Sequence, residues 1–285
     1  MRNPIQYGGP QKGTVQMGKK YQTEESEVSV VIPGSYPLST GATDVWHWGK
    51  ASGDYPSEVL AQDYTAESGG TPGHEYGLPG PAGTGMNGIY WANTASLNSH
   101  HTAPSTVSNQ SSGPVRAAHQ MGTSNFQFYF LYRTLACVDQ FYYIMDYDAQ
   151  DTVSTFTPGI QFYYSKAGFY APGSFACLLS DGPTNQTIWY VKSPGAIGYN
   201  DGKWMFIRWV FNRTLASPQF YLYGRSYPVI KAFAPTPLDL NAYGAINPVN
   251  GIRFAQKEVN DQTTGRADMV MAAAAYAKNL TYTWS

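Results

Sequence analysis

The chain offers few residues whose type and spacing point to chemistry. Asp146, Asp148 and Asp151 fall on and just after a predicted strand. Residues two apart in an extended chain share a face, so Asp146 and Asp148 point the same way. A retaining glycosidase needs two carboxyls about 5 Å apart, one with a raised pKa. The pair meets that spacing in principle. A solvated strand end or turn is the simpler reading, and no catalytic residue is assigned. The histidines are His47, His74, His100, His101 and His119. His100 and His101 sit in a polar stretch read as a loop. Neighbours in extended chain point opposite ways and chelate poorly, so no metal ligand is assigned. Trp46, Trp48 and Tyr76 lie in predicted loops and are the candidate glycan contacts. Sugar rings present C–H faces to aromatic planes and hydroxyl edges to Asn, Asp or Gln. The alternative is that these rings plug the end of the fold or pack under an interface.

The elements that position these residues read as strands. The stretch 201–224 is a turn, a strand, a loop and a second strand. Asp201-Gly202 is turn chemistry. Over 203–211, Trp204, Phe206, Arg208 and Val210 alternate with Met205, Ile207, Trp209 and Phe211. Both faces are mostly apolar, which predicts a central strand covered on both sides. A second strand, 220–223, is stopped by Gly224. The segment 125–133 alternates Phe126, Phe128, Phe130 and Tyr132 against Gln127, Tyr129 and Leu131, a clear strand. Further strands are predicted at 85–92, 114–121, 139–147, 159–164, 167–170, 174–179, 187–192, 227–234, 252–257 and 267–274. The alanines at 272–275 fit a strand packed tightly on a neighbour. This spacing suits a sandwich or jelly roll. Residues 1–34 read as a polar, Gly-rich N-terminal arm. Residues 35–84 read as a loop-rich region packed on the sandwich or a partner, and 85–285 as the sandwich.

The order "GKW" at Gly202-Lys203-Trp204, an aromatic strand, then "YxG" resembles the hairpin of concanavalin A-like β-sandwiches. The tail adds to it: Gly251-Ile252-Arg253-Phe254, then Gly265-Arg266-Ala267-Asp268-Met269-Val270-Met271, then Tyr276 to Leu280. The resemblance implies an all-β, concanavalin A-like jelly-roll sandwich of two antiparallel sheets with an extended N-terminal arm. Glycoside hydrolases of this fold carry E-x-D-x-x-E on one strand, and no such string occurs here. Tyr164-Ser165-Lys166-Ala167-Gly168-Phe169-Tyr170 is similar to a string of alginate-lyase-like members. Its Arg-rich and Q-x-H companion strands are missing. Lectin-type relatives often hold Ca²⁺ on loop carboxylates, which makes Asp181, Asp201 and Asp261 candidates and Ca²⁺ an optional cofactor. That fold hosts lectins, hydrolases, lyases and structural proteins alike.

Composition narrows the partners. Charged residues are 13% of the 285-residue chain, about half the usual share, while aromatics reach 15%. The net charge is -1, and no basic patch suggests a nucleic acid. No run approaches a membrane span, and residues 1–20 lack the apolar core of a signal peptide. Cys137 and Cys177 read as two buried thiols, with one bridge open in an oxidising setting. The N-x-S/T strings at Asn109, Asn185, Asn212 and Asn279 read as chance matches. Tyr- and Trp-rich, charge-poor surfaces also suit protein interfaces. The expectation is therefore a structural or attachment protein of a viral particle, of bacteriophage type. It would be found in the virion or outside the cell after lysis. Its partners would be its own copies, coat proteins and cell-surface glycans. A polysaccharide-degrading enzyme and a free lectin-like module are the alternatives.

Overall fold

The computed structural model describes residues 31–49, 55–56, 63–68, 74–91, 99–102, 118–136, 141–147, 156–165, 173–183, 185–192, 202–232, 238–248, 252–255 and 268–285. Residues 1–30 of the expected arm, Cys137, Asp148, Asp151, Asp201, Asp261 and most of the lyase-like string lie outside them. The strands are, in chain order, β1 (Asp44–His47), β2 (Tyr55–Pro56), β3 (Asp63–Ser68), β4 (His74–Pro79), β5 (Asn87–Trp91) and β6 (Ser99–Thr102). Then come β7 (Phe126–Ala136), β8 (Phe141–Tyr147), β9 (Gly159–Ser165), β10 (Ser174–Ser180), β11 (Gln186–Lys192) and β12 (Met205–Phe211). The last are β13 (Gln219–Leu222), β14 (Arg225–Tyr227), β15 (Ile230–Ala232), β16 (Arg253–Phe254) and β17 (Asp268–Ala277).

They form two antiparallel sheets, as expected. The first has eight strands in the order β14-β13-β12-β7-β17-β5-β4, with β1 also beside β17. The second has nine, in the order β15-β11-β10-β9-β8-β16-β6-β3-β2. Strand β17 is the spine of the first sheet. One edge pairs with β7 throughout, while the other is shared by β5, through Met269↔Trp91 to Met271↔Ile89, and by β1, through His47↔Ala273 to Asp44↔Tyr276. Its residues are all buried. The small alanines permit that crowding, and Gly88 of β5 shows its limit. A Cβ on Gly88 would stand 2.6 Å from the Met271 carbonyl oxygen.

The sheets meet through aromatic rings. Period-2 alternation turns Phe126, Phe128, Phe130 and Tyr132 of β7 inward, as their spacing predicts. Phe162 of β9 meets them from the other sheet, 5.0 Å from Phe128 and 5.1 Å from Phe130 between ring centroids. Phe175 of β10 stacks at 5.4 Å on Phe220 of β13. Removing one such ring costs about 3–5 kcal/mol, because the close-packed surroundings cannot refill the space.

The region 35–84 departs from its reading as loops. It contributes β1 and β4 to the first sheet and β2 and β3 to the second. His100 and His101 likewise lie in strand β6, paired with β3 and β16. DYTAES and SHHT carry no apolar alternation, so pairing with neighbours, not patterning, makes them strands. Residues 118–119 are helical, not extended, within the segment read as a strand at 114–121. The strand expected over 227–234 is split, with β14 ending at Tyr227 and β15 beginning at Ile230. Between β13 and β14, Tyr223 and Gly224 have φ of 51° and 76°, the two left-handed residues of a tight hairpin turn. Tyr223 accepts this because its amide donates to the Phe206 carbonyl at 2.9 Å and its hydroxyl to the Trp204 carbonyl at 2.8 Å.

Candidate functional site

The expected glycan contacts do not form a site. Trp46 and Trp48 are fully buried, at 0% exposure each. Their rings pack edge-on against Phe254 of β16 at 5.2 and 5.0 Å, joining the two sheets. Trp46 lies on β1 and Trp48 one residue past its end, and neither has an open face for a sugar. Tyr76 is half-buried and packs against the same core. Asp146 is buried on the outward face of β8, at a paired position with Gln161 of β9 and Arg253 of β16. It is not a solvated strand end. Asp181 acts as a loop clamp: its Oδ2 accepts from the Gly244 amide at 2.5 Å and from Asn185 Nδ2 at 3.4 Å. Among the described residues no three His, Cys, Asp or Glu side chains converge to hold a metal. Cys177 is a buried free thiol facing the core, and burial pushes its pKa up.

His119 and Asp44 form a pair with no sequence signal. His119 Nε2 donates to Asp44 Oδ2 at 2.7 Å, with both side chains buried. Asp44 Oδ1 accepts the Val45 amide at 2.9 Å. The pair ties β1 to the helical turn before β7 and is structural. Asn212 and Asn279 are also committed locally. Each Oδ1 accepts from the amide and hydroxyl of the threonine two residues on, the Asx-turn geometry.

The outer face of the first sheet divides into two halves. One is closed by the C-terminal tail. Gln127 of β7 is fully buried there and donates its Nε2 to the Asn279 and Tyr282 carbonyls, both at 2.9 Å. Its Oε1 accepts from Arg208 Nε at 3.0 Å and from a terminal nitrogen at 2.7 Å. The Arg208 guanidinium also lies 5.2 Å from the ring centroids of Tyr129 and Tyr221. Trp284 packs edge-on against Phe206 at 5.1 Å and donates its Nε1 to the Ser35 carbonyl at 2.9 Å. Charge, amide and rings are all matched.

The other half carries a mostly polar row around Val270, which is itself fully buried. Strand register sets Glu75 of β4 opposite Tyr90 of β5, Tyr90 opposite Val270 of β17, and Val270 opposite Arg133 of β7. Trp204, one residue before β12, stands beside Arg133, whose guanidinium carbon lies 5.3 Å from the Trp204 ring centroid. Asp268, two residues before Val270, shares its face. The intervening residues Trp91, Met269, Tyr132 and Met205 are core, so this row faces outward. It crosses four interstrand spacings, about 19 Å. Glu75 is exposed; Tyr90, Arg133 and Trp204 are half-buried; Asp268 is buried.

Burial first, then the nearby Asp268 carboxylate, then the charge of Glu75 raise the Tyr90 pKa well above the ordinary value. Tyr90 therefore stays protonated at neutral pH and is a poorer base for a β-elimination than an ordinary tyrosine. It is a fixed donor whose oxygen still accepts. Arg133 makes neither a hydrogen bond nor an ion pair among the described residues, and its buried Nε is without a partner. A half-buried indole, a half-buried guanidinium and phenol, and one exposed carboxylate on the same face suit a hydroxyl-bearing ligand. Part of this was visible in the sequence. Trp204 belongs to the GKW turn and Asp268 to the closing strand, but Tyr90, Glu75 and Arg133 had no marking motif.

No family model matches the chain, and no curated protein sequence matches it. Solved structures do. Trypanosoma rangeli sialidase in complex with sialic acid matches with a TM-score of 0.51 and 8% identity, over 85% of this chain and 31% of that chain. A mutant of that sialidase displaying trans-sialidase activity gives a TM-score of 0.53 at 8% identity, with the same 85% and 31% coverage. A crystal structure described as HCR/D-Sa-GBL1/C gives 0.50 at 12% identity, over 82% of this chain and 48% of that one. The chain spans less than half the length of these neighbours. At such identities the likeness is one of fold.

Proposed function

We propose that this chain is a carbohydrate-recognition module whose ligand lies along the row from Glu75 to Trp204. The observation that carries the reading is Arg133. Its guanidinium carbon lies 5.3 Å from the Trp204 ring centroid, and the group has no hydrogen-bond acceptor among the described residues. A guanidinium without an acceptor is costly, and a ligand oxygen on its terminal nitrogens, which are not sealed like the buried Nε, would supply one. Trp204 offers its ring to a sugar face, and Tyr90 and Glu75 offer partners to hydroxyls. A fold shared with a sialidase seen in complex with sialic acid is consistent with this use.

Polysaccharide cleavage finds less support, because the one tyrosine in the row is held protonated. A place in a virus particle rests on low charge and on an arm largely outside the described residues. The fold and the neighbours lend it no support, and it is not part of this reading. Display outside the cell and self-association through residues 1–34 stand as separate proposals. The solution mass with and without those residues tests the second.

The test is a glycan array probed with the wild type and with Trp204→Ala. Wild type binds a defined subset, and the variant binds that subset at least about tenfold more weakly, the loss of one stacked ring. Thermal unfolding checks that the variant is folded. An array on which folded wild type binds nothing sinks the reading.

A further inference from the structure

The row is electrically lopsided, and its ligand must answer to that. At one end Glu75 is exposed, and the buried Asp268 is close enough to Tyr90 to act on its phenol. At the other end stands Arg133, whose guanidinium pairs with neither carboxylate and rests on Trp204 at 5.3 Å. Glu75 and Arg133 are three strands apart in register, about 14 Å. The Debye length at physiological salt is about 8 Å, so a ligand meets the two ends as separate charges, not as a cancelled pair. Arg208, on the same sheet face, shows what a satisfied guanidinium looks like here: two rings and a Gln127 oxygen. Arg133 has the ring and, among the described residues, lacks the oxygen.

We infer that the site takes a glycan bearing one acidic unit, seated with its carboxylate on Arg133 and its ring against Trp204, while neutral units run toward Tyr90 and Glu75. This rests on the carbohydrate reading above. The planar guanidinium fork matches a carboxylate in two-point geometry, which a neutral hydroxyl does not use. The indole plane beside it accepts the C–H face of the same sugar ring. Toward β4 the groups reverse sign. Exposed Glu75 accepts hydrogen bonds from hydroxyls, and the half-buried Tyr90 oxygen accepts another. A second carboxylate arriving there meets like charge, with no cation among the row's described side chains to offset it. Glycans carrying acid on every unit are thus disfavoured by repulsion, not by lack of contacts. Specificity in this row is for the number and position of charges.

The experiment is calorimetric titration of the full chain with matched sugars: lactose against sialyllactose, xylotriose against xylotriose carrying one glucuronic acid, and tetragalacturonate. The expected result is that the singly acidic member of a pair binds at least about tenfold tighter than its neutral partner, the worth of one charge-assisted contact. Arg133→Gln should weaken the acidic member at least about tenfold more than the neutral one, and raised salt should shrink the preference. Glu75→Gln should improve binding of tetragalacturonate relative to wild type. Equal affinity within both pairs overturns the inference. So does an Arg133→Gln variant that weakens both members alike, or a wild type that prefers tetragalacturonate. Neutral sugars bound without acid preference would remove this inference and leave the carbohydrate reading standing. Binding of no sugar here or on the array would remove both.

Discussion

Two arginines sit on aromatic rings on one face of one sheet, and their surroundings differ. Arg208 faces Tyr129 and Tyr221 and is held by the Gln127 oxygen, under a tail that supplies acceptors for the rest of the glutamine. Arg133 faces Trp204 and has no such oxygen. The first arrangement spends its polar groups on stability. The second keeps a charge, a ring and a phenol half-open to solvent. The difference is where the C-terminal tail lies, since the sheet provides both halves with the same kind of side chain.

That contrast can be broken at Gln127. Gln127→Leu removes the oxygen from Arg208 and the donor from two tail carbonyls. It should cost about 3 kcal/mol in urea unfolding, the range for stripping partners from buried polar groups. A loss below about 1 kcal/mol would mean the tail is held by its rings alone.

The arginines give the next largest effect. Arg208→Ala should lose about 1–2 kcal/mol, a charged hydrogen bond and its ring contacts, whereas Arg133→Ala should lose less than about 1 kcal/mol. Equal losses would erase the distinction between a structural and a ligand-directed arginine.

A third region sharpens the comparison. Gln161 of β9 is fully buried on the outward face of the second sheet, and neither amide atom has a partner among the described residues. Unlike Arg133, it is not half-open to solvent. Gln161→Met keeps the length and removes the orphaned groups, and should stabilise by about 1 kcal/mol. Destabilisation would show that the amide is paired after all.

The smallest effect is in pH. Burial raises the pKa of Tyr129, under the tail, and of Tyr90, in the open row, where Asp268 and Glu75 add to it. A phenol whose folded pKa is raised contributes stability that is whole below the unfolded value near 10 and is lost as pH rises through the folded one. Unfolding free energy should therefore fall above about pH 10. Tyr90→Phe and Tyr129→Phe should each flatten the fall. A Tyr90→Phe profile identical to wild type would mean its phenol is not coupled to Asp268.

Local pattern carried the parts of the fold that depend on neighbours in sequence. The alternation from Phe126 to Tyr132 marked β7 and its inward face, and Gly224 marked the turn after β13. The aromatic run 203–211 marked β12 as a strand covered on both faces. Its outer cover proved to be the tail through Trp284. Polar strands such as β3 and β6 were invisible because pairing, not periodicity, defines them. Trp46 and Trp48 were misplaced for a related reason. A Trp-His-Trp cluster reads the same in an exposed loop or on a buried strand, and only the pairing of β1 with β17 chose between them.

What the amino-acid order determined by itself was therefore the class of fold, through alternation and turn residues that act within a few positions. The recognition row was decided only in three dimensions. Glu75, Tyr90, Arg133, Trp204 and Asp268 come from five strands or their ends, and register alone aligns them. That register is set by the packing of the buried faces behind them, a property of the whole sheet and of none of its segments.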